Sequence, residues 1–180
     1  FPGPISLPYL QSQKSKSQRK DLLRFAFENA MSLLGAIIVG DLLDRIEDAE
    51  NNLEHSEDTS SSLLEKFSGE EGEELLKPLR HIGMEQMSLG KWVNLIRTMS
   101  KFVSDLKITP HIPEALQAYK EKSKSKEAID TLVTIRNKDA HGPTIAESEL
   151  EAELGNREKL LMTTLASMSF LENWRLVQLE

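Results

Sequence analysis

Three polar residues lie close together in the sequence: Arg136, Asn137 and His141. Side chains of these types at this spacing could catalyse a reaction. They belong to the segment LVTIRNKDAHGP, in the last turns of a helical pattern that a Gly-Pro pair terminates. Such a trio could cleave RNA without a metal ion. His141 would act as general base on a ribose 2′-hydroxyl or as acid on the leaving oxygen. Arg136 would stabilise the charge that builds on the phosphorane, and Asn137 would orient the phosphate or the imidazole.

The geometry of a helix places a condition on this chemistry. At about 100° per residue, Arg136 and His141 point about 140° apart on a regular helix. They converge only if the helix unwinds at His141 and Gly142, or if a second copy of the chain supplies the complementary residue across a two-fold axis. A catalytic role therefore predicts a homodimer.

A structural explanation of the same residues stays open. The predicted buried stripe of this helix contains Arg136 in its middle and is formed by Ile129, Leu132, Val133 and Ala140. A buried guanidinium needs a partner, because an isolated buried charge is very unfavourable. That partner could be a ligand, a subunit interface or a carboxylate of the first long helix, such as that of Glu28, Asp41 or Asp44. A histidine in the last turn also interacts favourably with the helix dipole.

Other kinds of site find little support in the sequence. The chain has no cysteine, no glycine-rich phosphate loop and no His-Glu-x-x-His motif. His55, His81 and His111 lack a second ligand at helical spacing and are predicted to be solvated. We therefore expect no metal site and no cofactor.

The charge of the chain also limits its partners. Its 180 residues carry a formal net charge of −7, so a general nucleic-acid coat is excluded, although a small basic site could still act on RNA or a nucleotide locally. The basic lead-in at Lys14, Lys16, Arg19 and Lys20 is interpreted as a solubilising tail, with an acidic partner or nucleic acid as the alternative. The apolar run 30–39 is too short to span a bilayer and predicts a buried helix core, so no membrane partner is expected.

The pattern of the remaining chain predicts an all-α fold, an up-and-down bundle of four to five main helices with short accessory ones. A first long helix should run from about residue 21 to 49, and a second should begin after the N-cap Ser88. A short helix should begin at Pro113, and the motif helix at Ser123 or Ser125. The last helix, about 146–179, could break at Gly155 and Asn156. Between these helices, the acidic segment 47–75 reads as a connection with a short helix near 63–67, and a further short helix is predicted near 73–82.

The domain organisation follows from these elements. Residues 1–20 are predicted to be an extended, proline-rich and basic lead-in, and residues 21–180 a single helical domain. Because the chain begins at Phe1 without a methionine, we expect a fragment of a larger protein. The absence of cysteine fits a reducing compartment, so a cytoplasmic location is expected.

The motif around Arg136 resembles the signature of the HEPN superfamily (higher eukaryotes and prokaryotes nucleotide-binding domains). That signature is an arginine, a polar residue that is often asparagine, and a histidine near the end of a helix in a four- or five-helix bundle. Arg136, Asn137 and His141 match it here. The second half also resembles bacterial HEPN-like domains of multidomain signalling and defence proteins, which combine an SLGxW helix start, here 88–92, with RNxxxHG downstream. A proline-rich opening like FPGPISLP recurs there as well.

The resemblance implies two alternatives. Many members are metal-independent endoribonucleases of toxin, abortive-infection and CRISPR systems, active as dimers with arginine and histidine from both chains in one cleft. Others are non-catalytic sensing, nucleotide-binding or dimerisation modules attached to effector or sensor domains. The intact trio favours the first alternative, whereas the net acidity and the expected larger parent protein favour the second.

Overall fold

The computed structural model describes residues 3–15, 18–51, 69, 87–105, 109–141 and 147–172. Within these ranges the chain contains six α-helices, a short 3-10 helix and no strand, which confirms the all-α helical-bundle prediction. The α-helices are α1 (Gly3–Ser12), α2 (Arg19–Asn51), α3 (Leu89–Asp105), α4 (Pro113–Gln117), α5 (Lys124–His141) and α6 (Glu147–Ser167), and the 3-10 helix spans Ser169–Glu172. The short helices predicted near 63–67 and 73–82 lie outside the described residues.

The chain divides into two compact units, one formed by residues 1–33 with 117–180 and the other by residues 34–116. The first half of α2 belongs to the first unit, in which α5 packs against α6. Apolar side chains from α1, the first half of α2, α5 and α6 form its core: Ile5, Leu23, Phe27, Met31, Ile129, Leu132, Leu161 and Leu165. The core of the second unit includes Leu34, Ile38, Leu42, Val93, Ile96 and Met99. The motif helix and the first half of α2 therefore belong to the same unit.

Three predicted helix starts are confirmed. The hydroxyl of Ser88 accepts a hydrogen bond of 3.4 Å from the backbone N–H of Lys91, three residues into α3. Ser123 caps α5 in the same way, with 3.2 Å between its hydroxyl and the N–H of Lys126. Pro113 is the first residue of α4, where its missing N–H has no helical partner to lose.

The extended conformation predicted for the proline-rich opening is wrong for Gly3–Ser12, which form α1. Pro8 has no N–H, so the carbonyl of Pro4 cannot receive its normal helical hydrogen bond. The side-chain amide of Asn29 donates to that carbonyl instead, at 2.6 Å. The packing of Ile5, which is almost fully buried, and the hydrogen bond from Asn29 together keep this segment helical.

The break proposed at Gly155 and Asn156 is also wrong, because α6 is continuous from Glu147 to Ser167. Leu154 and Leu161 on either side are buried, and Arg157 pairs with Glu153 across the glycine. Tertiary packing therefore outweighs the weak helix propensity of glycine, which costs about 1 kcal/mol relative to alanine.

The central part of α2 is a buried core helix, as the run 30–39 predicted. Ala30, Met31, Leu34 and Ile38 are all buried. By length and composition alone the stretch Arg19–Arg45 would suffice to cross a membrane, but much of it is buried inside the protein. A core helix of a soluble protein has the same properties.

Candidate functional site

The candidate site lies in the last turns of α5. The buried face of this helix is formed by Ala128, Ile129 and Leu132, and the helix packs against α6 along it. Val133 is only partly buried, whereas the side chain of Asp139, nearer the end of the helix, is mostly buried. The buried face is therefore rotated away from the predicted stripe, and this rotation decides where the polar residues point.

Arg136 is at the edge of the buried face and not in its middle. Its side chain is 37% exposed, and its Nε lies 3.7 Å from Oε1 of Glu28 on α2. Glu28 was one of the carboxylates predicted as its partner, but the prediction of a buried arginine is wrong. A single long contact in a half-exposed position is a weak ion pair. Arg136 is therefore accessible from solvent and only loosely held.

Asn137 follows Arg136 and is exposed. Its side-chain oxygen accepts a long hydrogen bond of 3.4 Å from Nη1 of Arg136. The amide and the guanidinium are thus neighbours on one accessible surface of α5.

His141 is the last residue of α5, and its backbone is still helical. The helical path from Arg136 to His141 keeps the two residues about 140° apart around the helix axis. The position of the imidazole and the chain at Gly142 lie outside what the structure describes. Up to His141, therefore, the backbone does not unwind to bring the two residues together.

The buried arginine of the site is Arg157 of α6, which sequence reasoning did not single out. Its side chain is 6% exposed and makes a bidentate pair with Asp139 of α5. Glu153, one turn earlier, accepts a second set of hydrogen bonds from the same guanidinium, with its Oε1 at 2.9 Å from Nη2. Lys20 of α2 completes the network, with its Nζ 2.9 Å from Asp139. This buried ionic network links α2, α5 and α6.

The charge of Asp139 is stabilised by its partners. Burial raises the pKa of its carboxyl, but the hydrogen bonds from Arg157 and Lys20 outweigh this effect and hold the pKa below its ordinary value. Asp139 is therefore an ionised structural carboxylate. The signal that could have revealed the network is the position of Arg157 between Leu154 and Leu161, where an apolar residue would complete the stripe of α6.

Two residues of the basic lead-in, Arg19 and Lys20, are part of the folded structure. Arg19 pairs with Glu151 and Glu158 of α6, at 2.6 and 2.7 Å. Glu158 additionally accepts hydrogen bonds from Tyr9 and Gln13 at the end of α1 and just after it. The interpretation of Arg19 and Lys20 as a solubilising tail is wrong, because these side chains join α2 to α5 and α6.

The second unit contains a separate cluster around His111. Its Nε2 lies 3.2 Å from Asp48 and 3.6 Å from Asp44, while Asp41 accepts hydrogen bonds from the backbone N–H groups of His111 and Ile112. His111 is exposed, as predicted, and it also contacts these two carboxylates. His55 and His81 lie outside the described residues. In the part of the chain that the structure describes, no group of three or more His, Asp or Glu side chains is arranged to hold a metal ion.

Comparisons of this chain with known proteins returned no matching family model, no matching curated protein and no matching solved structure. Its function is therefore argued from its own residues.

Proposed function

We propose that this chain is a HEPN-like, metal-independent endoribonuclease that acts as a homodimer. His141 takes the proton of a ribose 2′-hydroxyl, whose oxygen then bonds to the adjacent phosphorus as the bond to the 5′-oxygen breaks. Arg136 stabilises the charge on the phosphorane, and Asn137 orients the phosphate. The leaving 5′-oxygen receives a proton from water, the protonated His141 returns its proton to solvent, and the upstream product ends in a 2′,3′-cyclic phosphate.

The accessibility of Arg136 carries this proposal. The buried ion pair of this region is formed by Arg157 and Asp139, so the packing of α5 on α6 does not depend on Arg136. Arg136 instead contacts Glu28 at 3.7 Å and is partly open to solvent beside the exposed Asn137. A phosphate can displace one long contact of this kind at small cost, because exposed ion pairs contribute about 0–1 kcal/mol.

The positions of the two residues on α5 favour a homodimer. A regular helix separates Arg136 and His141 by about 140° around its axis, which favours a site to which two copies contribute. A two-fold axis beside the end of α5 would combine Arg136 of one copy with His141 of the other.

An RNA cleavage assay in the presence of a chelator tests the proposal. Wild-type protein is expected to cleave RNA but not DNA of the same sequence, because DNA lacks the 2′-hydroxyl. His141→Ala and Arg136→Ala should each reduce the rate by about 100-fold or more. Lys138→Ala removes a charge from an exposed position between them and serves as the matched control.

The second candidate function is a non-catalytic HEPN-like sensing, nucleotide-binding or dimerisation module of a larger signalling protein. The net charge of −7 favours it, because an acidic chain repels RNA outside a local basic site. A wild-type dimer that binds but does not cleave RNA would support this alternative. Cleavage that His141→Ala leaves unchanged would contradict the endoribonuclease proposal.

A further inference from the structure

A pocket lies between α2, α5 and α6 in the first unit, beside the candidate site. Among the described residues that line it, four are basic and one is acidic, although the chain as a whole is acidic: Lys20, Arg24, Arg136, Arg157 and Asp139. Its remaining lining is apolar and comes from Leu23, Phe27, Leu132, Ile135 and Leu161. The pocket thus combines a largely buried apolar lining with several basic side chains.

Two ion pairs connect α2 and α5 beside this pocket. Lys20 of α2 pairs with Asp139, and Glu28 pairs with Arg136. Arg24 lies one helical turn from both Lys20 and Glu28 and therefore falls between the two pairs on the same face of α2. It lines the pocket there, but its ion pair is with Asp21 of its own helix, at 3.4 Å, and both side chains are well exposed.

The Nε atom of Arg24 also indicates that this side chain is incompletely paired. This atom is buried and has no hydrogen-bond partner within the described residues. A buried donor without an acceptor is unfavourable, and an anion at the pocket would supply the acceptor. Arg157 and Lys20 are already engaged by Asp139. Arg24 pairs with Asp21 on the surface of its own helix and lies over the ring of Phe25, at 5.1 Å from its centroid. Arg136 has a long contact with Glu28. Arg24 and Arg136 are therefore the less strongly paired cations of the pocket.

We propose that Arg24, beside Arg136, forms a phosphate-binding subsite for the RNA substrate. The inference rests on the proposed function and deepens it, because Arg136 acts on the cleaved phosphate and Arg24 contacts the phosphate next to it. Arginine binds phosphate through paired N–H donors.

Binding measurements on cleavage-deficient protein test the subsite. Fluorescence anisotropy of His141→Ala protein with a short unstructured RNA gives the reference affinity. Adding Arg24→Gln should weaken binding of the single strand by about tenfold, as expected for loss of one charge-assisted contact of about 1.4 kcal/mol. Adding Lys138→Gln, which removes the same charge outside the pocket, should change it by less than about twofold.

Three outcomes decide the matter. Selective weakening by Arg24→Gln supports the subsite. Equal effects of Arg24→Gln and Lys138→Gln overturn it, and in that case wild-type cleavage of RNA still leaves the proposed function intact. Binding of free adenosine monophosphate without any binding of RNA overturns the RNA subsite, and in that case the wild-type protein should also fail to cleave RNA.

Discussion

The two arginines at the end of the α5–α6 pair have different environments and different roles. Arg157 is almost fully buried and bidentate to Asp139, whereas Arg136 is half-exposed and has one long contact to Glu28. Removing one partner of a buried pair leaves an uncompensated charge, which costs far more than breaking an exposed contact. The structural and the accessible arginine can therefore be separated by experiment.

Asp139→Asn should lower the free energy of unfolding by about 3 kcal/mol, because it leaves Arg157 with only Glu153 as an ionic partner. Arg136→Gln should lower it by less than about 1 kcal/mol. Denaturant unfolding of the two variants checks this difference. Comparable losses of stability would show that Arg136 is structural after all, and would remove the main support for a phosphate-binding role.

Lowering the pH should weaken the hydrogen bonds that Tyr9 and Gln13 make to α6, because it protonates Glu158. The hydrogen bond from Arg19 holds the pKa of this carboxyl below its ordinary value, although burial raises it. A carboxyl with a lowered pKa in the folded state contributes stability above its unfolded pKa, about 4, and loses that contribution as pH falls below it. Glu158→Gln should therefore be less stable than wild type at neutral pH, and the difference should shrink towards about pH 3.

Unfolding free energies measured across this pH range check the convergence. Glu149→Gln, which removes an exposed carboxylate from the same helix, is the matched control. Curves for wild type and Glu158→Gln that stay parallel down to low pH would contradict the stabilising role of the ionised Glu158.

The sequence predicted part of this residue-scale arrangement. It placed Arg136 and Asn137 near the end of α5 and named Glu28 among the carboxylates that could pair with Arg136. It missed Asp139, because the predicted buried stripe of α5 was rotated from the observed buried face, and it missed Arg157 because no buried charge was expected in the stripe of α6. The true face depends on how α5 packs against α6, which local periodicity does not contain.

At the scale of the helices, caps were easier to predict than interruptions. The N-caps Ser88 and Ser123 act through hydrogen bonds within a few residues, so the local sequence suffices. Pro8 and Gly155 were expected to prevent or break helices, but α1 and α6 run through both. In each case the compensating contact comes from packing or from a distant residue such as Asn29.

Two glycines of α2 should respond in opposite ways to alanine. A Cβ at Gly35 would lie 2.5 Å from Cε3 of Trp92, whereas a Cβ at Gly40 would have no neighbour within 4 Å. Gly35→Ala should lower the free energy of unfolding by about 1–3 kcal/mol, because the tryptophan ring must shift. Gly40→Ala should raise it by about 0.5–1 kcal/mol through helix propensity. Denaturant unfolding checks both signs, and stabilisation by both variants would contradict the close contact of Gly35 with Trp92.

At the scale of the whole molecule, the class of fold followed from the helical periodicity, and the described residues confirm it. The local concentration of basic side chains did not follow, because Lys20 and Arg24 are more than 100 residues from Arg136 and Arg157 in the sequence. An acidic chain can still hold a small cationic pocket, and such a pocket is where we expect RNA to bind. Association of two copies is the remaining requirement of the proposed chemistry.

The most direct test of the central claim is complementation between two inactive variants. In a mixed dimer of Arg136→Ala and His141→Ala, one of the two composite sites combines Arg136 of one copy with His141 of the other, both intact. We predict that neither variant alone cleaves RNA in a chelator and that the mixture regains cleavage once dimers have exchanged. Failure to regain cleavage, with mixed dimers demonstrated by differently tagged copies, would contradict a site shared between two chains.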